Sequence, residues 1–341
     1  MKTLLLVTDT WHPQVSGIVT VLDALIERIK KRGWKVEVVH PGLFRSVSFP
    51  LYPEIPLALF PHRKMRDLFA ATKPSYVHIA TEWTLGLSAR RYCIRHGTPF
   101  TTAYHTNFRR DAAMYLAFMA PVAAYLADAY MRWFHGRARR TLVSNETLRG
   151  ELSSHGFKNL AVSPFGVETD FFKRNESSAV DPGLEKPIFV YFGRIAREKN
   201  IEEFLDAKLP GSKLVIGGGP YKEYLESQYG SQTKFVGYKR GQELVDWLSV
   251  CDAYVFPSRT ETFGLTVLEA LACGLPVAAH DVTGPRGIVT SGEDGYLSED
   301  LTDAAVKCLA LSKEACRRKS LQYSWDVTAE KFMSYQVPVD R

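Results

Sequence analysis

The chain has 341 residues, too many for one ordinary core and enough for two domains, and its composition is that of a soluble globular protein. Its five cysteines show no paired spacing and its nine histidines no metal-ligand spacing, so we expect free thiols in a reducing, cytoplasmic compartment and no structural metal. The net charge of +6 is concentrated in residues 1–170, where 22 Lys and Arg oppose 13 Asp and Glu. Such a basic half suits an anionic membrane surface or acceptor, and no nucleic-acid-binding motif accompanies it.

The amino-terminal residues predict a buried strand followed by a helix. The apolar run at residues 4–7 is short, is followed by Asp9 and lacks a cleavage site, so it is better interpreted as a strand than as a signal peptide. Apolar periodicity predicts a helix at about residues 18–32. The turn between them reads P-Q-V-S-G-I and contains Gly17, so the G-x-G-x-x-G fingerprint of dinucleotide-binding proteins is absent.

Further strands and helices alternate through the first half of the chain, with helices predicted at about residues 62–71, 84–96 and 146–155. One strand ends at Glu82 and the next at His105. Because ligands of open parallel sheets bind at the carboxyl ends of strands, His105 is a candidate site residue. A purely structural histidine is the alternative.

Residues 112–127 form the most apolar run of the chain, and arginines lie on both sides of it. The run is too short to span a membrane and is interrupted by Pro121. An apolar, aromatic segment flanked by arginines is typical of a protein that dips into an anionic leaflet. The alternative for residues 109–140 is an ordinary pair of core helices with solvated ends.

The second half begins after a polar linker with the strand P-I-F-V-Y-F-G-R. Arg194 ends this strand, and Lys199 follows five residues later across a turn. Two fixed cations at such a turn can clamp a diphosphate and stabilise it as a leaving group. Further along, three consecutive glycines beginning at Gly217 follow another strand, a weak signal by itself.

The most informative stretch is a strand, a polar loop and a helix between Cys251 and Gly274. Glu261 lies in the loop and Glu269 inside the helix, eight positions apart. Between them lie the amide groups of Phe263, Gly264 and Leu265 at the helix N-terminus, a natural anion site. Amides for a phosphate, flanked by carboxylates for hydroxyls, indicate a site for a nucleotide-sugar.

The string P-S-x-x-E-x-F-G-L-x-x-L-E-A-L-A-C-G-L-P-V, which starts at Pro257, resembles the E-x7-E signature of retaining glycosyltransferases of family 4. The resemblance implies that Glu261 holds hexose hydroxyls and that Glu269 holds the ribose. The amides of Phe263, Gly264 and Leu265 would hold the diphosphate.

Other segments also resemble this family. The strings are G-R-x-x-x-x-K with Arg194 and Lys199, P-x-x-x-G with Gly17, and Y-H-T-N-F with His105. In the family, the glycine lets the backbone approach the diphosphate and the histidine approaches the donor sugar. The loops that contain Gly217, Gly218 and Tyr238 would flank the nucleobase.

The resemblance covers nearly the whole chain and implies the α/β GT-B fold, two Rossmann-like domains facing across a cleft. We expect an acceptor-binding domain at residues 1–168, a linker at 169–186 and a nucleotide-sugar-binding domain at 187–322. A final helix at 323–341 would cross back to the first domain.

The predicted reaction is retaining transfer of a hexose from a nucleoside diphosphate sugar of the GDP-mannose or UDP-glucose type, without metal or other cofactor. His105, Arg194, Lys199 and Glu261 would be the catalytic residues. The first-domain strings are most similar to GDP-mannose-dependent α-mannosyltransferases and glycolipid-forming relatives. They favour a membrane lipid acceptor and an enzyme at the inner face of the plasma membrane, with a soluble sugar or glycan as second choice. The sequence is also compatible with a nucleotide-sugar epimerase, a phosphorylase or a non-catalytic nucleotide-binding module.

Overall fold

The computed structural model describes residues 2–14, 16–49, 52–105, 109 and 119–339. The chain divides into two compact units, one of Met1–Phe165 with Trp325–Arg341 and the other of Gly166–Ser324. The segment predicted as a linker thus belongs to the second unit. There the Arg317 guanidinium donates to the carbonyl oxygens of Thr169 and Phe172, each at 2.6 Å.

The first unit is built on a parallel sheet with the strand order β2-β1-β5-β6-β7-β8. These strands are β1 (Thr3–Val7), β2 (Lys35–Val39), β5 (Tyr76–Ile79), β6 (Thr101–Ala103), β7 (Arg140–Val143) and β8 (Leu160–Val162), and β3 (Ser46–Phe49) with β4 (Tyr52–Ala58) forms a separate hairpin. The described helices of this unit are α1 (Gly17–Lys31), α2 (His62–Thr72), α3 (Thr84–Arg95), α4 (Ala120–His135), α5 (Glu146–Ser154) and the C-terminal α13 (Trp325–Tyr335).

Local sequence signals account for these elements. Leu4, Leu5 and Leu6 are fully buried, as expected for a central parallel strand covered on both faces. Helix α1 begins where the Ser16 hydroxyl accepts from the Val19 amide, and it ends before Gly33, which takes the left-handed φ of 80°. The four helices predicted in this half all lie within one residue of their expected bounds.

The second unit has a parallel sheet with the order β11-β10-β9-β12-β13-β14. Its strands are β9 (Ile188–Arg194), β10 (Ser212–Gly218), β11 (Thr233–Phe235), β12 (Ala253–Phe256), β13 (Val277–Ala279) and β14 (Gly295–Leu297). Its helices are α6 (Ile201–Asp206), α7 (Lys222–Tyr229), α8 (Gly241–Ser249), α9 (Leu265–Ala272), α10 (Thr283–Arg286), α11 (Leu301–Cys308) and α12 (Lys313–Ser320). Each unit is therefore a Rossmann-like parallel sheet with helices, as the predicted fold class requires.

The strand order of the second unit determines where a ligand binds. After β9 the chain builds outward on one side through β10 and β11, then returns to pair β12 with the other side of β9. The order thus reverses between β9 and β12, and ligands of doubly wound sheets bind at such a switch point, beyond the carboxyl ends of the strands. Arg194 and the loop at residues 257–264 lie at these two strand ends.

Helix α4 carries an exposed apolar stripe. Tyr125 is 66% exposed and Leu126 61%, while Ala124 and Met131 on the opposite face are buried. Residues 112–118 of the predicted apolar run lie outside the described residues. In the described part of the chain, no helix is both long and apolar enough to cross a bilayer.

Candidate functional site

One predicted cation and one predicted carboxylate are in contact at the switch point of the second unit. Lys199 and Glu261 form an ion pair although 62 residues separate them in the chain. Their side chains are only 22% and 20% exposed, so neither is an ordinary solvated surface charge. Arg194 pairs with Glu198 one turn later, and its side chain is 31% exposed. Two cations and a predicted hexose-binding carboxylate therefore lie at the carboxyl ends of the neighbouring strands β9 and β12.

The N-terminus of α9 lies beside this ion pair. Gly264 occupies its cap position with φ of 94°, a left-handed conformation that an L-residue adopts only at a cost. The amides of Gly264 and Leu265 donate to no acceptor among the described residues. The Phe263 side chain is buried and its ring packs edge-on against Tyr323, which anchors the loop. Free amides at a helix start are able to bind an anion, and the anion site itself remains a prediction.

Two buried tyrosines form hydrogen bonds to the end of β9 and to the first turn of α9. Sequence reasoning did not assign them a role. Tyr191 donates from its hydroxyl to the carbonyl oxygen of Arg194 at 2.8 Å, and Tyr254 bonds Thr266 of α9 at 2.8 Å. Their signal in the sequence is a single tyrosine within the apolar part of each of two strands. A buried phenol needs a hydrogen-bond partner, and here the partners are the strand end and the first turn of α9.

Glu269 projects from α9, where its carboxylate has no hydrogen bond or ion pair within the described residues. Burial raises the pKa of Glu269 to about 7, because the ionised form loses its hydration without gaining a partner. A carboxylate with unused acceptor capacity suits sugar hydroxyls, which are the donors that the predicted ribose contact requires.

This unpaired carboxylate gives a pH-dependent prediction. Ionising Glu269 costs the folded state stability, so we expect Glu269→Gln to stabilise the second unit by about 1–2 kcal/mol at about pH 8. The gain should vanish below the ordinary glutamate pKa of 4.5 and grow as pH rises toward 7, the pKa of the folded state. Thermal unfolding at several pH values measures it, and an equal gain at every pH would contradict the burial argument. Nucleotide binding should weaken in the same variant.

Gly217 and Gly218 have a packing role that the sequence did not indicate. A Cβ on Gly217 would lie 1.9 Å from the carbonyl oxygen of Gly193 on the paired strand, and one on Gly218 would lie 2.4 Å from the Tyr238 ring. The Tyr238 hydroxyl donates to the Gly218 carbonyl at 2.8 Å, while half of the side chain stays exposed. The absence of a side chain at Gly218 lets the Tyr238 ring pack against the carboxyl end of β10. The predicted contact of these residues with the nucleobase remains a prediction.

The two site residues predicted in the first half lie in the first unit. Gly17 is the first residue of α1 rather than part of the preceding turn, with Ser16 as the cap. His105 follows β6 and lines a small cavity with His78, Tyr104 and Phe165. Burial, with the nearby His135, lowers the pKa of His105 to about 4, so the ring is neutral at pH 7. The rest of the Y-H-T-N-F string lies outside the described residues.

Asp9 occupies the N-terminus of another helix in the first unit. Its carboxylate accepts from the amides of Leu85 and Gly86, at 2.7 and 3.1 Å, and from the Thr81 hydroxyl at 2.9 Å. The start of α3 therefore already holds a built-in anion. Sequence reasoning noted Asp9 only as the end of the first apolar run.

Comparison with known proteins identifies the family of the chain. The profile "Glycosyltransferase Family 4" matches residues 15–171, and "Glycosyl transferases group 1" matches residues 172–316. A GDP-mannose-dependent alpha-mannosyltransferase of Mycobacterium tuberculosis is 27% identical, over 97% of this chain and 95% of that protein. An alpha-monoglucosyldiacylglycerol synthase of Streptococcus pneumoniae is 26% identical, over 96% of this chain and 82% of that protein.

The fold is also that of a solved glycosyltransferase. The sucrose-phosphate synthase of Thermosynechococcus elongatus superposes with a TM-score of 0.78 at 20% identity, and the alignment covers 98% of both chains. The two profiles together extend over residues 15–316, and they meet at residues 171 and 172, close to the start of the second unit at Gly166. The chain therefore belongs to the family 4 glycosyltransferases, and it is an enzyme with the GT-B fold.

Proposed function

We propose that this enzyme transfers a hexose from a nucleoside diphosphate sugar to an acceptor hydroxyl with retention of the anomeric configuration. The observation that carries the proposal is the Lys199–Glu261 pair beside the free amides of Gly264 and Leu265. One half of this arrangement suits a diphosphate and the other suits sugar hydroxyls. On donor binding, Lys199 turns to the phosphate and Glu261 accepts from the hexose.

In the proposed reaction, the bond between the anomeric carbon and the diphosphate oxygen breaks while the acceptor oxygen bonds to that carbon on the same face. The acceptor proton passes to an oxygen of the departing phosphate, and the diphosphate leaves with its electron pair. Arg194, Lys199 and the amides at the start of α9 stabilise the developing charge. The scheme uses no covalent enzyme intermediate, no metal and no other cofactor.

For the donor, the named relatives support GDP-mannose or UDP-glucose, since one uses GDP-mannose and another makes a glucosyl lipid. The acceptor we favour is a diacylglycerol-type membrane lipid, as in the second relative. The test is incubation with radiolabelled GDP-mannose or UDP-glucose and a membrane lipid extract, followed by organic extraction. Label in the organic phase supports the lipid acceptor, whereas label confined to a soluble sugar or glycan contradicts it.

The exposed stripe on α4 is the surface we propose for contact with the membrane. Val122, Tyr125, Leu126 and Trp133 are each about half exposed or more, and Arg137 and Arg139 lie just beyond the helix. Apolar side chains can enter the acyl boundary while arginines bind anionic headgroups.

Replacing both Tyr125 and Leu126 with serine should weaken binding to phosphatidylglycerol vesicles by about tenfold or more, because two exposed apolar side chains lose their burial in lipid. Vesicle co-sedimentation measures the loss. Leu321→Ser, at a position 54% exposed in the second unit, serves as the control and should bind like the wild type. Unchanged binding of the double variant would refute this surface.

A further inference from the structure

A buried histidine and a partly exposed glutamate form a pair next to the candidate site, outside the residues assigned to it. His280 follows β13 and is completely buried, and its Nε2 lies 3.0 Å from Oε2 of Glu203 on α6. The other ring nitrogen, Nδ1, lies 3.1 Å from the carbonyl oxygen of Ser298. The two nitrogens therefore both face oxygen atoms.

The contacts determine how many protons the pair holds. A carbonyl oxygen only accepts, so Nδ1 of His280 carries a proton. A neutral ring would then present a lone pair to the Glu203 carboxylate at 3.0 Å, with two acceptors facing each other. A second proton must lie between Nε2 and the carboxylate. Glu203 also accepts from Arg259, at 3.3 Å, and from Asn200, which is the pattern of an ionised carboxylate. The second proton therefore belongs on His280.

The charged groups around this pair balance it. Arg259, from the loop after β12, bonds both Glu203 and Glu299, the latter at 2.8 Å from beyond β14. On the segment of His280 itself, Asp281 bonds Arg286, and that pair is half exposed. An imidazolium at the buried His280 has the opposite charge of Glu203 beside it, and Arg259 balances Glu299.

The same pair connects the two loops of the candidate site. Asn200, directly after Lys199, takes a left-handed φ of 53° and donates both to Glu203 and to the Pro257 carbonyl, the latter at 3.3 Å. On the other side, the segment after His280 leads to Gly284, whose amide donates to the Glu261 carbonyl at 3.0 Å. Lys199 is thus connected to the pair through its neighbour Asn200, and Glu261 is connected to it through Gly284, four residues after His280.

We infer that Glu203 and His280 are positioning residues. The proton that they share fixes the positions of Lys199 and Glu261 for binding of the nucleotide-sugar. The inference rests on the proposed function, because it assigns the pair to the donor site. Without the Nε2–Oε2 hydrogen bond, donor binding weakens while the fold remains.

Two measurements test this. Nitrogen-15 chemical shifts of the His280 ring should show both nitrogens protonated in the folded protein; an unprotonated Nε2 overturns the inference. Calorimetric binding of GDP and UDP should be about tenfold weaker in Glu203→Ala.

The matched control is Glu202→Ala on the same helix, whose side chain bonds Tyr221 instead. We expect it to bind nucleotide as the wild type does. If Glu203→Ala behaves like this control, the positioning role is wrong although the donor site stands. If the wild type binds neither GDP nor UDP, the proposed function is wrong and the positioning role is lost with it.

Discussion

Lys199→Ala is expected to lower kcat by about 10²–10³-fold with little change in the fold. The Lys199 ammonium is the cation that contacts Glu261 directly, and in the proposed reaction it neutralises the diphosphate as the leaving-group bond breaks. Removing one preorganised group that stabilises developing charge in a water-poor site costs about 3–4 kcal/mol in the transition state. Because this contact strengthens as the reaction proceeds, kcat and kcat/KM should fall together.

Steady-state kinetics with the active donor measures this loss. Lys222→Ala is the matched control, because Lys222 pairs with Glu226 on the surface of α7 in the same unit. Surface pairs of this kind contribute about 0.3–0.5 kcal/mol, so the control should retain wild-type rates. A Lys199→Ala enzyme with wild-type kcat would remove Lys199 from the mechanism.

Gly217→Ala is expected to destabilise the second unit by about 3–5 kcal/mol. The φ of Gly217 is 147°, and an added Cβ would lie 1.9 Å from the Gly193 oxygen within the pairing of β9 with β10. The new methyl group must push these two central strands apart just before Arg194, so loss of activity should accompany loss of stability. Urea unfolding followed by circular dichroism measures the effect.

Gly237→Ala separates the two causes of this loss. Gly237 also has a positive φ, 69°, but an added Cβ there meets nothing within 4 Å. That variant should lose only about 1–2 kcal/mol, the cost of the left-handed backbone. Equal losses at both positions would show that crowding against Gly193 is unimportant.

Much of the fold is readable from local sequence signals. The apolar run before Asp9, the Gly33 stop and the period of the helices predict elements that the structure contains within about one residue. The strand, loop and helix around Glu261 were predictable for the same reason. Gly264 lies just before the helix and Gly274 just after it, and both take positive φ.

Contacts between segments distant in the chain could not be predicted from local sequence signals. The bond of Lys199 to Glu261 depends on β12 lying beside β9, and the contact of Gly217 with Gly193 depends on the register of β10 against β9. His280 and Glu203 are 77 residues apart, and nothing in their local sequence pairs them. Periodicity predicts which face of an element is buried, but strand order decides which side chains then meet.

The exposed stripe on α4 shows a different limit. The apolar run predicted either a core helix or a membrane surface, because both use the same residues. The structure buries Ala123 and Met131 and leaves Tyr125 and Leu126 exposed, so the helix has one face of each kind. Composition alone carries no information on how the residues divide between faces.

The most direct test of the central claim is nucleotide release from a panel of UDP-, GDP- and ADP-hexoses by the wild type and by Glu261→Ala, with and without a membrane lipid extract. The mechanism predicts lipid-stimulated release from one donor by the wild type and loss of that release in the variant, because the hexose loses its carboxylate contact. If nucleotides bind but no donor releases its nucleotide under either condition, the chain is a nucleotide-binding module and the proposed transfer reaction is wrong.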